Sequence, residues 1–284
     1  VSRIEVFPED EYAQAVTRLH ELGSHTRAAR VDELPNGAAE HGDVPPMPEN
    51  AAVRQDRHVM ELMARGDLGE VAELVADSYS FVDHRFGGIT PIARGYAAFV
   101  EQLESYEAVG LRPVGGRLIA IRGERVALGE QIMGSDDGYD TVSYKLGELD
   151  ESGRFLRTEI FDEDDLDAAL LTLDAWYIAG EGAEHEYVIR RSGDFRRARR
   201  ARDWDAFGAL LATDLDAVDH RRIGMGAGGR DQYIAANQAI VDLVPDSRLI
   251  SRSQEAKGDV ILSRTQAWGT TVDGNHYEWE QFAI

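Results

Sequence analysis

One pattern of apolar residues occurs twice in this chain. In the first copy the spacing is that of one helical face, at Leu68, Val71, Leu74 and Val75. The same spacing returns 136 residues later, at Trp204, Phe207, Leu210 and Leu211. The pattern therefore predicts a helix in each copy, with one apolar face turned toward a core.

A charged motif follows each of these predicted helices. Val82-Asp83-His84-Arg85 follows the first, and Val218-Asp219-His220-Arg221 follows the second at the same offset of 136. Gly88 and Arg94 also recur at that offset, as Gly224 and Arg230. A constant offset without gaps predicts two copies of one module, each with the charged motif on a strand.

A second repeat has a different offset. Residues 4–11 (IEVFPEDE) resemble residues 158–165 (TEIFDEDD), 154 positions later. Each segment predicts a short strand, an acidic turn and a helix, because acidic residues suit a helix N-terminus. The difference of 18 residues between the two offsets corresponds to the stretch 31–52, whose four prolines predict a linker.

The order of the predicted elements indicates the fold class. Each copy begins with two helices, continues with the motif strand and a third helix, and ends in hairpin strands. This order predicts an α+β protein of two tandem cone-like modules, each a curved antiparallel sheet wrapped on about three helices. The predicted segments are 1–30 (a strand and helix resembling the end of a preceding repeat), the linker 31–52, the first module 53–163, a connecting helix 164–186 and the second module 187–284.

The second copy is one strand shorter than the first. The first copy closes with a strand over 154–161, and the counterpart would lie near residues 290–297, beyond Ile284. Proteins normally cover such an exposed sheet edge. Because residues 2–7 resemble residues 157–161, we predict that the N-terminal strand pairs with the strand at 276–284. The helix at about 10–22 would then pack on the second module as the helix at 164–179 packs on the first.

The net charge of −22, from 52 acidic and 30 basic residues, argues against a nucleic-acid partner. The one basic run, Arg190 to Arg202, has seven arginines on a predicted helix and is interpreted as a solvated face. The chain has no cysteine and no spacing typical of metal ligands, so neither a metal nor a cofactor is predicted. No apolar run reaches the ~18–20 residues that cross a bilayer, so no membrane partner is predicted, and the absence of cysteine fits an expected cytoplasmic location.

The element order and the motif strands, 77–84 (DSYSFVDH) and 214–220 (DLDAVDH), resemble the nuclear-transport-factor-2-like superfamily, which includes SnoaL-like proteins and ketosteroid isomerases. The acidic segment 161–170 (FDEDDLDAAL) also resembles SnoaL-like modules at the C-terminal end of actinobacterial regulators. The resemblance implies a cavity inside each cone. It also implies that the two modules pair as a pseudo-dimer within the chain, or that the chain forms a homodimer.

In the isomerases the matching strand bears a general-base aspartate, and Asp83 and Asp219 occupy that position. Burial among apolar residues would raise the pKa of such a carboxyl group. The alternative interpretation is an aspartate held by Arg85, Arg94 or backbone donors, which would fix the strand-to-helix corner. The tyrosine that the isomerases place in the first helix has no counterpart in 57–63 or 193–199. The resemblance therefore does not extend to steroid isomerisation.

The residues predicted to contact a ligand are arginines and aromatic residues near these strands: Arg85, Arg94, Tyr144, Arg221, Arg230 and Trp279. The segment 224–229 contains a G-x-G-x-x-G pattern, but no parallel βαβ unit follows it, so a lip at a cavity mouth is favoured. The favoured function is binding of a small, mostly apolar molecule in one or both cavities, in a sensory or regulatory role. The alternatives are an acid–base isomerase or polyketide cyclase that uses Asp83 or Asp219, and a non-catalytic dimerisation module.

Overall fold

The computed structural model describes residues 1–23, 47–85, 92–135, 138, 140–222 and 224–284. The chain divides into two compact units. The continuous module is Pro48–Ala183, and the split module combines Val1–Met47 with Glu184–Ile284. The predicted linker is 31–52, and its residues 31–46 lie outside the described residues.

Eight helices and twelve strands occur in the described residues. The helices are α1 Tyr12–Gly23, α2 Ala51–Arg65, α3 Leu68–Glu73, α4 Gly95–Ala108, α5 Leu166–Ala179, α6 Glu186–Arg200, α7 Trp204–Ala209 and α8 Arg230–Leu243. The strands are β1 Arg3–Pro8, β2 Val75–Asp83, β3 Ile92–Arg94, β4 Arg112–Arg122, β5 Val126–Gly134, β6 Asp140–Leu149, β7 Phe155–Asp162, β8 Asp216–Asp219, β9 Ala227–Gly228, β10 Arg248–Lys257, β11 Val260–Thr270 and β12 His276–Ala283.

Each module contains one six-stranded sheet, and the two sheets have the same order. In the continuous module the order is β3-β2-β7-β6-β5-β4, and in the split module it is β9-β8-β1-β12-β11-β10. Strand β1 therefore takes the place of β7. The mixed α+β architecture predicted from the sequence is confirmed. The sheets are not wholly antiparallel, however, because β2 pairs with β7, and β8 with β1, in parallel. In the chain, α4 and strands β3 to β6 lie between β2 and β7, and the whole continuous module lies between β1 and β8. Neither parallel pair is therefore joined by a hairpin, which connects only antiparallel strands.

The predicted pairing of the N-terminal strand is confirmed. Strand β1 lies antiparallel to β12, with Val6 opposite Ala283 and Phe7 opposite Phe282. Helix α1 contacts β10, β11 and β12, as α5 contacts β4, β5 and β6. The register agrees with both sequence offsets. Asp83 lies opposite Ile160, and Asp219, its counterpart at the offset of 136, lies opposite Val6, the counterpart of Ile160 at the offset of 154.

A buried ion pair ties each of these helices to its sheet. In the split module Arg18 Nε of α1 donates to Glu5 Oε1 of β1 at 2.8 Å. In the continuous module Arg122 Nε of β4 donates to Asp174 Oδ1 of α5, also at 2.8 Å. Removing one partner of such a pair leaves a buried charge, so these contacts hold the strand–helix unit in register.

Helix α2 begins at a side-chain cap that also contacts the sheet. Asn50 Oδ1 accepts a hydrogen bond from the backbone N–H of Val53 at 2.9 Å, as an N-cap residue does. The Nδ2 of Asn50 donates to the carbonyl oxygens of Gly123 and Val126, both at 3.0 Å. This cap places the first turn of α2 over the β4–β5 hairpin, where one wall of a cavity begins.

The role of β1 predicts a selective effect of truncating Phe7, which packs with Ala15, Leu19, Leu262 and Phe282. We expect Phe7→Ala to destabilise the split module by about 3–5 kcal/mol, because the side chain is fully buried and leaves a cavity. Deleting residues 1–8 should remove the fold of that module altogether. Amide hydrogen exchange is the measurement, and protection should fall in β8 and β12 but not in β2 and β6.

Phe161 is the matched control, because it occupies the position of Phe7 in the continuous module and is also buried. Phe161→Ala should lower protection in β2 and β6 and leave β8 and β12 unchanged. Equal loss in both modules from Phe7→Ala would contradict the assignment of β1 to the split module.

Candidate functional site

The repeated Val-Asp-His-Arg motif builds the same clasp in both modules. The carboxylate of Asp83 accepts from Arg85 Nε at 2.9 Å and Nη2 at 2.7 Å, and from the backbone N–H of Arg85 at 3.0 Å. In the split module Arg221 makes the same three contacts to Asp219, at 2.9, 2.8 and 3.1 Å. Each aspartate side chain is only 1% exposed. Both oxygens of each carboxylate are thus held by the neighbouring arginine.

The histidine of the motif fastens the strand to its parallel neighbour. His84 stacks on Phe161 with 4.7 Å between ring centroids, and His220 stacks on Phe7 with 4.6 Å. His84 Nε2 lies 2.8 Å from Glu159 Oε2, and the equivalent distance from His220 to Glu5 is 3.5 Å. These rings therefore lie on the opposite side of the strand from the aspartate clasps, as alternation along a strand requires.

Asp219 has one further donor, the backbone N–H of Met225 at 2.8 Å from Oδ2. This approach depends on Gly224, because a Cβ there would lie 2.3 Å from the same oxygen. Burial raises the pKa of the Asp219 carboxyl, but the hydrogen bonds from Arg221 and Met225 together outweigh it, so the pKa lies below its ordinary value. Burial therefore does not produce a raised pKa at Asp219. The G-x-G-x-x-G segment serves this contact, and β9 pairs antiparallel with β8.

The clasp predicts a stability effect for Asp219→Asn. We expect a loss of about 3 kcal/mol, because the substitution leaves Arg221 without its buried counter-charge. Urea denaturation of the two variants Asp219→Asn and Asp83→Asn is the measurement. The exposed Asp214 provides the control, and Asp214→Asn should change the free energy of unfolding by less than about 0.5 kcal/mol.

The pH dependence follows from the lowered pKa of Asp219. Its contribution is fully present above the unfolded-state pKa of about 3.9 and is lost as the pH falls through the lower folded-state pKa. The difference between the protein and Asp219→Asn should therefore shrink below about pH 4. A difference that is already absent at pH 7 would show that the clasp does not stabilise the module.

The largest cavities lie at the same place in the two modules. The continuous module has a cavity of about 400 Å³ between α2 and strands β4, β5 and β6. The split module has one of about 610 Å³ between α6 and strands β10, β11 and β12. Lining residues correspond at the offset of 136, for example Asp56 and Ser192, Met60 and Arg196, Gly115 and Ser251, Ala127 and Ser263, and Lys145 and Gln281.

Four of the five charged groups that line the continuous cavity are paired with one another, and the fifth, Arg57, pairs with Glu49. Lys145 Nζ lies 2.6 Å from Asp56 Oδ1. Arg117 Nε and Nη2 each donate to Glu130 at 3.1 Å. A smaller space of about 60 Å³ continues inward from Met60 and Lys145 to the buried Tyr79. This cavity therefore combines an apolar interior with a mouth whose charges cancel.

The split cavity has a different polar lining. Arg191 Nη2 donates to the carbonyl oxygen of Leu210 at 2.9 Å. Arg196 Nη1 donates to the hydroxyl oxygens of Ser192 at 3.0 Å and Ser251 at 2.9 Å. Gln281 is 8% exposed, and its Oε1 has no hydrogen-bond partner among the described residues. Arginine, hydroxyl and amide groups thus converge on one space.

The interpretation of the basic run as a solvated face is only partly right. Arg190 pairs with Glu186, and Arg197 with Asp194, on the exposed side of α6. Arg199, in contrast, is 3% exposed, and burial lowers its pKa. Its Nε donates to Asn237 Oδ1 at 3.2 Å. The helical period of 3.6 residues distributes a continuous run of arginines over both faces.

The predicted ligand-binding residues lie apart from the two large cavities. Arg230 donates from Nε and Nη2 to the carbonyl oxygen of Gly208, which joins α8 to α7. Arg221 lies 5.4 Å from the ring centroid of Trp279, and Arg94 is exposed in β3. Tyr144 precedes the cavity-lining Lys145 and so faces the other side of the sheet. The structure brings together Arg85 with Asp83, and Arg221 with Asp219 and Trp279; their ligand-binding and general-base roles stay predictions.

The groups that line the split cavity were missed because no motif marks them. Gln281 and Ser192 are ordinary polar residues, and the arginines of α6 belong to a run whose composition suggested a surface. The one sequence signal was the offset of 136, which aligns Gln281 with Lys145 and Ser192 with Asp56. No group of three or more His, Cys, Asp or Glu side chains in the described part of the chain is placed to hold a metal ion.

Several solved structures match a part of this chain. A candidate polyketide cyclase from Xanthomonas campestris pv. campestris is 15% identical, and the match covers 40% of this chain and 92% of that one, with a TM-score of 0.34. A Mycobacterium tuberculosis protein in complex with estradiol-17β-hemisuccinate is 10% identical over 40% and 96%, with a TM-score of 0.34. A computationally designed 17-OHP binder is 8% identical over 42% and 95%, with a TM-score of 0.37.

These structures agree with the predicted resemblance to SnoaL-like and ketosteroid-isomerase-like proteins, at the level of fold alone. Each of them matches about two-fifths of the chain. No protein-family model matches the sequence, and a search of curated proteins found no significant match. The actinobacterial regulator context stays a prediction. In the described residues, no helix has the length and apolar character that crossing a membrane would need.

Proposed function

We propose that this protein binds a small, mostly apolar molecule in the cavity of the split module, in a sensory or regulatory role. The observation that carries the proposal is the cavity of about 610 Å³ between α6 and the sheet. Ligand cavities in proteins have volumes of about 300–1,000 Å³ and combine apolar walls with a few polar groups. Here Phe195, Leu249 and Ile261 supply apolar wall, and Gln281 supplies an amide oxygen without a partner.

The size of the cavity supports binding over a purely structural module. Protein interiors are close-packed, and few voids in them exceed the volume of a water molecule. A structural dimerisation module would be expected to fill this space with side chains. Instead, small residues such as Ser251, Ser263 and Ala283 line the sheet side of the cavity. Small side chains on a strand leave room for another molecule.

Binding also has more support than acid–base catalysis by Asp83 or Asp219. A general base needs a free oxygen within reach of the proton that it removes. Both oxygens of each carboxylate are engaged by the neighbouring arginine, and the lowered pKa of Asp219 makes it a weaker base. The proposal extends to the cavity of the continuous module, whose mouth carries the Asp56–Lys145 and Glu130–Arg117 pairs.

The proposal is tested by filling one cavity at a time. We expect the neutral fluorophore N-phenyl-1-naphthylamine to bind saturably, because it is apolar and smaller than the cavity. Ser263→Phe should weaken this binding at least tenfold, because the ring occupies the space beside β11. The measurement is a fluorescence titration, with circular dichroism to show that the variant is folded.

Ala127→Phe is the matched control, since Ala127 holds the position of Ser263 in the continuous cavity. It should leave the affinity measured for the split cavity unchanged. Binding that is not saturable, or that neither substitution affects, would contradict the proposal. An effect of Ala127→Phe alone would move the site to the continuous module.

A further inference from the structure

The two cavities differ most in the charge of the helix that covers them. Arg191 and Arg196 of α6 line the split cavity, and Arg199, about one turn beyond Arg196 on the same helix, is buried. At the offset of 136 the corresponding residues of α2 are Gln55, Met60 and Met63, none of which is charged. Asp56, the acid that α2 contributes to the continuous cavity, corresponds to Ser192. On the covering helix the split module therefore gains these cations and loses Asp56, whereas Arg57, Arg117 and Lys145 of the continuous cavity correspond to the uncharged Gly193, Ser253 and Gln281.

Two of these cations, Arg191 and Arg199, lack the counter-charges that the chain could easily supply. The net charge is −22, and exposed arginines of the same helix do pair with acids, as Arg190 does with Glu186. Among the described residues, neither Arg191 nor Arg199 has a carboxylate partner. Removing a cation from water without a partner is unfavourable. Arg199, which is almost fully buried, is therefore stabilised by any anion that comes within reach.

Other charged groups at this cavity do not cancel the excess. Arg3 lines it but is already paired with Glu5 and Asp216. Asp259 also lines it and is exposed. Gln281 adds a buried amide whose oxygen has no partner, directly across from the helix on β12. Among the lining residues, the guanidinium of Arg191 and the amide of Gln281 thus remain without a charged partner, and the buried Arg199 lies further along the same helix.

We infer that the split-module cavity takes an amphipathic anion, a molecule with an apolar chain or ring system that bears one carboxylate. The carboxylate lies toward the arginines of α6, and the apolar part lies along Leu249, Val260 and Ile261 of the sheet. Arginine suits this role because its planar guanidinium matches a carboxylate with two parallel hydrogen bonds. This inference rests on the proposed function, to which it adds the class of ligand.

The experiment compares decanoate with 1-decanol as competitors of N-phenyl-1-naphthylamine in the full chain. The two competitors share a ten-carbon chain and differ in the charged group. We expect decanoate to displace the fluorophore at a concentration at least tenfold lower than 1-decanol. High salt should weaken the decanoate competition and leave that of 1-decanol unchanged, because salt screens charge interactions.

Variants of the arginines assign the preference to the site. Arg191→Gln and Arg199→Met introduce the residue types that α2 carries at these positions. Each should weaken decanoate at least fivefold and 1-decanol less than twofold. Arg199→Met should also raise the melting temperature, because it removes a buried charge. Arg190→Gln, on the exposed side of the same helix, is the control and should change neither competitor.

The outcomes separate the inference from the function on which it rests. If the fluorophore binds saturably but 1-decanol competes as well as decanoate, the inference is wrong and the proposed function stands. If decanoate is preferred but the preference survives both arginine substitutions, the anion lies elsewhere and the inference is again wrong. If the fluorophore does not bind saturably, both are wrong. The comparison of the two competitors decides the question even if an arginine variant does not fold.

Discussion

Strand β1 is hydrogen-bonded along both of its edges, and the split module depends on those two ladders. One edge pairs with β12 and the other with β8, so a segment from the start of the chain closes a sheet made by its end. The same strand supplies Phe7 to the core, Glu5 to the buried pair with Arg18, and Ile4 to the cavity wall. Without β1 the sheet would separate into β8–β9 and β10–β12.

The split module is therefore a circular rearrangement of the continuous one. In the continuous module the equivalent strand and helix, β7 and α5, follow the hairpin strands in the chain. In the split module β1 and α1 precede all other elements. The register is nevertheless kept, since the aspartate of each motif lies opposite the equivalent residue, Ile160 or Val6. The pairing of strands in a sheet does not depend on their order in the chain, because hydrogen bonds and side-chain packing depend only on which strands lie side by side.

The two modules share a framework and differ in their cavities. The aspartate–arginine clasp and the stacked histidine occur in both, with distances that agree within a few tenths of an ångström apart from the histidine–glutamate contacts. Recurrence in both copies is what a structural role predicts. The cavity walls, in contrast, exchange a Lys–Asp pair for arginine, serine and glutamine. Residues that hold the framework are repeated, whereas those that would meet a ligand have diverged.

The sequence by itself determined the repeat, the order of the elements and the pairing of the N-terminal strand. These follow from periodicity and from two constant offsets, which are local or pairwise properties of the chain. It also offered the arginine clasp as one of two interpretations of Asp83 and Asp219, without deciding between them. Only the tertiary structure decided that both carboxylates are buried and engaged. It alone also decided that Arg191, Arg196 and Arg199 face inward while Arg190 and Arg197 face water. Burial depends on which elements pack against a helix, and a run of like residues carries no periodicity from which that face can be read.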